Sequence, residues 1–355
     1  MDVREFAFLL PPELIAQEPP AVRGSSRLLH LNRSTGARVH TTIDQFATCL
    51  DEGDVVVLND TKVFPARLLG RRDPSGGAVE CFLVNRVSSE AAGTQETWQA
   101  LVHPGQKLPP GARMAFDDDG SDVLQGEVLE RHFHGRRLVR LWTIDGRSVT
   151  EVVDAIGHVP LPPYIKRDDR VDDRDRYQTV FARERGSIAA PTAGLHFTPQ
   201  ILEHLESRGV VAVYITLHVG YGTFQPVRAE HVEDHRLEPE HYEVPERTVA
   251  VIEAARSRGK RIVAVGTTTT RTLEAVAHEN GGRLVAGAGA TDVFIYPGFR
   301  FQVVTGLVTN FHLPGSSLIM LVAAFAGRQV VLDAYAEAIA RRYRFYSYGD
   351  AMLIT

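Results

Sequence analysis

Histidine, threonine and glycine cluster in a short stretch near the middle of the chain, where they could support acid–base chemistry. The stretch AAPTAGLHFT, residues 189–198, contains Thr192, Gly194 and His196. A Thr-Pro pair follows and favours the start of a helix, since Thr is a good N-cap and Pro fits the first turn. A histidine at such a crossover, beside a glycine that lets a ligand approach the backbone, suits a general base. A structural turn with a hydrogen-bonded histidine has the same pattern, so both interpretations stand at this point.

Four other apolar runs end in residues of similar type. The residues that follow these runs are Asn59, Thr61 and Lys62; His218, Gly220 and Thr223; Thr267, Thr268 and Arg271; and Asn310 and His312. The carboxyl ends of strands in an open α/β sheet meet at one edge, where ligands bind. Independent turns would not be expected to repeat this composition, so we expect one cleft that contains all five strand ends.

The segment GTTTTR, residues 266–271, combines hydroxyl groups, backbone amides and a cation at a predicted helix N-terminus. Such a site can hold a phosphate or a carboxylate, although a threonine-rich helix cap is the simpler explanation. The segment lacks the G-x-x-x-x-G-K-[ST] pattern, so nucleoside triphosphate hydrolysis is not indicated. His196, His218 and His312 come with neither an HExxH motif nor a nearby cysteine, and we predict no metal site.

Composition indicates a soluble globular protein, and the length of the chain favours two or three domains. The chain has 355 residues, of which 44% are hydrophobic and 23% charged, and a formal net charge of −5. The negative charge argues against broad nucleic-acid binding but leaves room for a local basic patch. Cys49 and Cys81 make no disulfide framework, and neither a membrane-spanning run nor a signal-peptide pattern is present. We therefore predict a cytoplasmic protein without a membrane segment, and we expect a monomer.

The hydrophobic pattern of the sequence changes between residues 68 and 149. Short alternating runs are separated there by Gly- and Pro-rich turns, which is typical of a small antiparallel barrel or sandwich. Elsewhere helices and strands alternate, which favours a mainly parallel sheet with helices on its faces. The patterning thus separates α/β segments, residues 1–67 and 150–355, from a β segment at 68–149; with the resemblance described below, we expect a discontinuous α/β catalytic domain with an inserted β domain. The predicted elements include a helix capped by Ser148 and Glu151 and a strand at about 291–295.

Nine segments, taken together and in order, resemble the S-adenosylmethionine:tRNA ribosyltransferase-isomerase family of queuosine biosynthesis. They are VVVLNDTKVFPARLLG, IGHVPLPPYIKR, YQTVFA, AAPTAGLHFT, TLHVGYGTFQPV, VGTTTTRTLE, VFIYPGFRF, TNFHLPGSSLIMLVAAFAG and YRFYSYGDAMLI. The resemblance extends to Thr355 and is weakest across residues 70–145. It implies an α/β domain built on a mixed sheet, with a small antiparallel β-barrel inserted into it.

The resemblance also implies a reaction. The ribosyl group of S-adenosylmethionine would be transferred and isomerised onto 7-aminomethyl-7-deazaguanine in a tRNA anticodon. The products would be epoxyqueuosine-tRNA, adenine and methionine. S-adenosylmethionine is then a consumed substrate, and we expect no other cofactor; the partners are S-adenosylmethionine and the anticodon region of tRNA.

Residue roles follow from combining this chemistry with the strand ends. We predict four catalytic residues: His196, His218, His312 and Asp350. We predict twelve residues that bind substrate: Asn59, Thr61, Lys62, Arg67, Thr192, Gly194, Gly220, Thr223, Thr267, Thr268, Arg271 and Asn310. His196 and His218 are the candidates for the base, Asp350 for a contact with the substrate amine, and Lys62 and Arg67 for contacts with the RNA backbone.

Two positions depart from the family pattern. Glu238, Pro239 and Glu240 stand where the family usually has His-Ser-Glu, and Thr269 and Thr270 stand in a loop that commonly reads GTTSVR. Two other function classes remain open on the sequence. One is a small-molecule α/β transferase that acts on a phosphosugar or nucleotide without RNA, and the other is a non-catalytic RNA-binding protein, which the acidic net charge fits poorly.

Overall fold

The computed structural model describes residues 1–132, 135–224 and 226–355. The chain forms two compact units. The first, here called the sheet unit, contains Met1–Lys62, Pro163–Lys166 and Arg176–Thr355. The second, here called the barrel unit, contains Val63–Pro162 and Arg167–Asp175.

The strands of the described ranges are β1 (Arg27–Leu31), β2 (Arg38–Thr42), β3 (Val55–Asn59), β4 (Thr61–Val63), β5 (Arg67–Asp73), β6 (Ala78–Ser89), β7 (Gln95–His103), β8 (Arg113–Asp118), β9 (Ser121–Arg131), β10 (Arg136–Thr143), β11 (Glu184–Ser187), β12 (Val211–Leu217), β13 (Glu240–Val244), β14 (Ile262–Val265), β15 (Gly287–Thr291), β16 (Gly306–Asn310) and β17 (Ala351–Ile354). The α-helices are α1 (Val149–Ile156), α2 (Asp173–Arg176), α3 (Pro199–Ser207), α4 (Glu246–Ser257), α5 (Thr267–Glu279), α6 (Ser317–Ala326) and α7 (Arg328–Ala340).

The sheet unit is built on a nine-stranded mixed sheet in the order β15-β13-β12-β3-β14-β16-β17-β1-β2. Its four adjacent strands β12, β3, β14 and β16 are parallel. Strand β3 reads Val-Val-Val-Leu-Asn and is buried at every position, as expected for a parallel strand with both faces covered. The strands β13 and β17 run antiparallel to their neighbours β12 and β16, which makes the sheet mixed.

Alternate residues of β3 enter two different apolar layers. Val55 and Val57 pack in the layer that includes residues of α5, α6 and α7, whereas Val56 and Leu58 pack in the layer that includes residues of α3. This alternation follows from the two-residue period of side chains along a strand. The core therefore holds β3 rigidly on both faces, and its carboxyl end at Asn59 is fixed with it.

The barrel unit contains a closed antiparallel barrel in the order β10-β7-β6-β5-β8-β9. Five side chains from five of its strands are buried and fill it: Leu68, Leu83, Ala100, Leu124 and Leu141. Closure pairs every strand on both sides and so leaves no open sheet edge. The predicted fold class, a mixed α/β sheet with a small antiparallel β-barrel, is confirmed.

Local signals in the sequence had mixed outcomes. The predicted capping box is present, because Ser148 Oγ accepts from the amide of Glu151 at 3.2 Å and the Glu151 carboxylate accepts from the amide of Ser148 at 2.8 Å. The strand predicted at 291–295 is wrong, since β15 ends at Thr291. The segment that does form β15, Gly-Ala-Gly-Ala-Thr, has low intrinsic strand propensity, and its pairing with β13 decides its conformation.

Within the described ranges, no single helix is both long and apolar enough to cross a bilayer. Helices α6 and α7 taken together reach that length and composition, and they are bent by 114° relative to each other.

Candidate active site

The carboxyl ends of β12, β3, β14 and β16 lie side by side and carry four of the predicted site segments. At the usual spacing of about 4.8 Å between neighbouring strands, four ends span about 14 Å. Asn59 links three of them: its amide nitrogen donates to the carbonyl of Leu217 at 3.0 Å and lies 3.4 Å from Thr268 Oγ1. The strand ends therefore meet at one edge of the sheet.

His218 stands directly after β12 and is half-buried. Its Nδ1 lies 2.8 Å from Thr61 Oγ1, and the Thr61 hydroxyl donates to Ser187 Oγ at 2.9 Å. In the tautomer that carries its proton on Nδ1, the ring donates to the Thr61 oxygen and Nε2 is unprotonated. Nε2 has no hydrogen-bond partner among the described residues. Burial lowers the pKa of His218, so the ring is neutral near pH 7.

The His218 ring rests against the backbone of Gly186. A Cβ atom at position 186 would lie 2.7 Å from ring atoms of His218, closer than van der Waals contact allows. Ser187 supports the same loop, because its Oγ accepts from the amide of Val219 at 2.7 Å. Sequence reasoning missed this pair of residues, which lie just before AAPTAGLHFT with Ile188 between, because Ser187 reads as part of a short apolar run.

His196 is only 4% exposed, and both of its ring nitrogens are engaged. Nδ1 lies 2.9 Å from Ser26 Oγ, and Nε2 lies 3.1 Å from the amide nitrogen of Asn310. An amide nitrogen is a donor, so Nε2 accepts and Nδ1 carries the proton. Burial lowers the pKa of His196 to about 4. His196 is therefore a neutral ring held at both nitrogens, and a role as base would require it to give up one of these bonds.

His312 is buried in a similar way. Its Nε2 lies 2.7 Å from Thr309 Oγ1, and its backbone amide donates to the hydroxyl of Tyr335 at 3.1 Å. Burial lowers its pKa to about 3. Of the three predicted histidines, His218 alone combines partial exposure with a ring nitrogen that is open among the described residues.

Asn310, at the end of β16, connects His196 to a strained aromatic residue. Its amide nitrogen also donates to the carbonyl of Tyr346 at 3.0 Å. Tyr346 has φ of +74°, an uncommon conformation for a bulky residue, of a kind that clusters at functional sites. The Asn310 side-chain oxygen has no partner among the described residues. A buried open acceptor of this kind can receive a hydrogen bond from a ligand.

The threonine segment begins helix α5. Gly266 is its N-cap with φ of +93°, a region that glycine adopts without strain. The hydroxyls of Thr269 and Thr270 turn back to main-chain carbonyls at 2.8 and 3.1 Å, so they stabilise the helix. Thr267 and Thr268 remain at the first turn, where helix geometry leaves the backbone amides open to an anion.

Arg271 is 9% exposed, and all three guanidinium nitrogens donate to protein groups. NH1 pairs with Glu240 Oε2 at 2.5 Å, Nε donates to the Val293 carbonyl at 3.0 Å, and NH2 to the Thr291 carbonyl at 3.4 Å. The other Glu240 oxygen accepts from the amide of Gly220 at 2.8 Å. The predicted ligand contact of Arg271 would have to compete with these bonds.

Both carboxylate oxygens of Asp350 accept hydrogen bonds from protein groups. Its Oδ1 accepts from the backbone amide of Arg27 at 2.9 Å. Its Oδ2 accepts from the Arg27 guanidinium at 2.8 Å and from the amide of Arg344 at 2.8 Å. The carboxylate thereby ties β1 to the segment that leads into β17. A contact with a substrate amine, as predicted, would require it to give up one of these donors.

The remaining predicted residues lie at different depths. Lys62 is exposed, while Thr192 is partly exposed at the start of the 3-10 turn Thr192–His196. Gly194 packs so closely that a Cβ atom there would lie 2.8 Å from Thr179 Cγ2. Thr223 lies in the turn Tyr221–Phe224.

Arg67 belongs to β5 in the barrel unit and not to the sheet unit. It donates to Glu80 at 3.1 Å. In the part of the chain that the structure describes, no three His, Cys, Asp or Glu side chains are grouped as metal ligands.

The chain is similar to known proteins over its full length. The family model described as queuosine biosynthesis protein matches residues 3–354. A relative from Caldanaerobacter subterraneus subsp. tengcongensis, the S-adenosylmethionine:tRNA ribosyltransferase-isomerase, is 49% identical over 99% of this chain and 98% of its own. A relative of the same name from Syntrophotalea carbinolica is 49% identical over the whole of both chains.

A solved structure agrees with these relatives. The S-adenosylmethionine tRNA ribosyltransferase of Thermotoga maritima is 38% identical, with a TM-score of 0.55 over 99% of this chain and 100% of that one. A match of the family model over nearly every residue, together with relatives near 49% identity, leaves one conclusion. This chain belongs to the queuosine biosynthesis protein family.

Proposed function

We propose that the chain is an S-adenosylmethionine:tRNA ribosyltransferase-isomerase. It transfers and isomerises the ribosyl group of S-adenosylmethionine onto 7-aminomethyl-7-deazaguanine in the tRNA anticodon, and releases adenine and methionine. The observation that carries the proposal is the meeting of Asn59, His218, Thr268 and Asn310 at the carboxyl edge of four adjacent parallel strands. Family membership and the names of the relatives support the substrate pair.

The sheet unit is the catalytic domain in this proposal, and the inserted barrel binds or positions the RNA. Four parallel strand ends supply the reacting groups, whereas the barrel is filled by apolar side chains. The protein acts as a cytoplasmic monomer and uses S-adenosylmethionine as a consumed substrate, with no further cofactor.

His218 is the base in this proposal. The positive sulfonium acidifies the 5′ carbon of the ribose, and the open Nε2 of His218 removes a proton from it. Adenine then leaves, the exocyclic amine of the tRNA base attacks the activated sugar fragment, and the bond between the ribose carbon and the sulfonium sulfur breaks to release methionine. Thr61 orients the ring through Nδ1, and Nε2 is the ring nitrogen that stays without a partner among the described residues.

The other predicted residues receive supporting roles. The open amides at the start of α5, with Thr267 and Thr268, bind the methionine carboxylate or a phosphate. Asn310, oriented by His196, offers its open side-chain oxygen to a donor of the ribose or adenine. Lys62 is exposed and suits a contact with the RNA backbone.

Adenine release tests the proposal directly. The protein is incubated with S-adenosylmethionine alone, with a tRNA that carries the 7-aminomethyl precursor, and with the same tRNA lacking that base. We expect adenine release only with the precursor tRNA. Turnover of a small molecule without RNA would favour the α/β transferase alternative, and RNA binding without turnover would favour a non-catalytic RNA-binding protein.

A further inference from the structure

The loop that carries the proposed base is held at three consecutive residues. The His218 ring contacts Thr61, the Val219 amide donates to Ser187 Oγ, and the Gly220 amide donates to Glu240 Oε1 at 2.8 Å. The first two contacts use neutral hydroxyl groups, and the third uses a carboxylate. A hydrogen bond to a charged group is stronger than one between neutral groups, so the Gly220 contact is the strongest of the three.

Glu240 bridges two structural elements. One of its oxygens faces Gly220 in the loop after β12, and the other pairs with NH1 of Arg271 in α5 at 2.5 Å. Glu240 is 7% exposed and Arg271 is 9% exposed, so solvent screens the pair weakly. Arg271 is itself held by the carbonyls of Val293 and Thr291. The carboxylate therefore has one defined position.

We infer that Glu240 and Arg271 are positioning residues, which fix the loop 218–220 and thereby set the place and the solvent exposure of the His218 ring. The inference rests on the proposed function and adds to it a buried ion pair that acts through another residue. Neither side chain touches the reacting atoms in this account. Arg271, in the first turns of α5, acts on the base through Glu240 and Gly220.

Glu240→Gln should lower the catalytic rate. Glutamine keeps the shape and one acceptor oxygen but removes the charge that pairs with Arg271, so the contact with Gly220 weakens and the loop shifts. A displacement of about 1 Å at a catalytic group can cost about 100-fold in rate. We expect kcat for adenine release to fall by about that factor, with the KM for S-adenosylmethionine changed by less than about threefold.

The pH profile separates positioning from general destabilisation. Burial is the main cause that lowers the pKa of His218; His241 lowers it further, whereas Glu184, Asp60 and Glu243 raise it. A loosened loop lets water reach the ring, which reduces the effect of burial and raises that pKa. A base works in its neutral form, and the acid limb of kcat/KM therefore moves to higher pH in Glu240→Gln. A variant that only lowered the folded fraction would leave the position of this limb unchanged.

Glu274→Gln is the matched control. Glu274 lies on α5 like Arg271 and is fully buried, and its carboxylate accepts from the backbone amides of Gln302, Val303 and Val304. The same substitution there removes a buried charge that fixes backbone away from the site. We expect a lower thermal midpoint but unchanged kcat per folded molecule and an unchanged acid limb.

Arg271→Lys provides a second variant in case Glu240→Gln folds poorly. Lysine keeps the positive charge but cannot reproduce the three separate donors of Arg271, so we expect a smaller fall in kcat with the same direction of the pH shift. The inference is overturned if folded Glu240→Gln or Arg271→Lys keeps wild-type kcat and its acid limb, or if Glu274→Gln reproduces both changes. Wild-type protein without RNA-dependent adenine release would instead refute the proposed function itself.

Discussion

At the scale of single residues, the three histidines of the site differ in how their ring nitrogens are used. His196 and His312 are buried and hydrogen-bonded, and their pKa values fall to about 4 and about 3. His218 is half-buried and keeps Nε2 open among the described residues. The sequence contained all three histidines but could not rank them, because ring environment depends on partners far apart in the chain, such as Ser26 for His196.

Gly186→Ala tests whether catalysis depends on the packing of the His218 ring against the backbone of residue 186. The added Cβ would lie 2.7 Å from ring atoms, so the ring must move away from Thr61. We expect a fall in kcat of about 100-fold, by the same sensitivity to small displacements, with little change in the thermal midpoint. Steady-state adenine release and thermal unfolding measure the two effects.

Gly222→Ala is a suitable control for that variant, since its Cβ would meet the Glu238 side chain at an ordinary 3.8 Å. It should retain nearly the wild-type rate. If Gly186→Ala also retained it, His218 would not need its observed position.

At the scale of secondary-structure elements, the sequence was informative where a signal is local. The apolar run of β3 and the capping box of α1 could be read from neighbouring residues. β15 could not, because its glycines and alanines form a strand only through pairing with β13. The Glu240–Arg271 pair joins residues 31 positions apart, and no local sequence pattern predicts it.

Ser148→Ala tests the local interpretation of α1. The variant removes the hydroxyl that accepts from the Glu151 amide, and loss of such an N-cap costs about 1 kcal/mol. We expect a lower thermal midpoint with the adenine-release rate per folded molecule unchanged. Ser148→Asp, which restores an acceptor at the cap, should recover most of the lost stability, and failure to do so would argue against capping as the cause.

At the scale of the whole molecule, the buried neutral histidines make stability depend on pH. Burial lowers the pKa of His196 from 6.5 to about 4. The unfolded chain therefore binds more protons than the folded one between these values, and stability is lost as pH falls from about 6.5 towards 4. At about 1.4 kcal/mol per pKa unit, His196 accounts for at most about 3.5 kcal/mol.

Thermal unfolding between pH 7.5 and 4 measures this effect. We expect the midpoint to fall as the pH drops through the window below 6.5, and to fall less steeply in His196→Gln, which cannot take up the proton. An equal slope in wild type and variant would show that His196 contributes nothing to acid destabilisation.

We propose that one cleft at the carboxyl edge of the sheet performs ribosyl transfer, with His218 as its base. The most direct measurement compares adenine release by wild type and His218→Ala, with precursor tRNA and saturating S-adenosylmethionine, after calorimetry has shown that both bind the nucleoside. Loss of a general base costs about 10²- to 10⁴-fold in rate, and we expect a decrease in that range. Normal binding with unchanged turnover in His218→Ala would show that His218 is not the base.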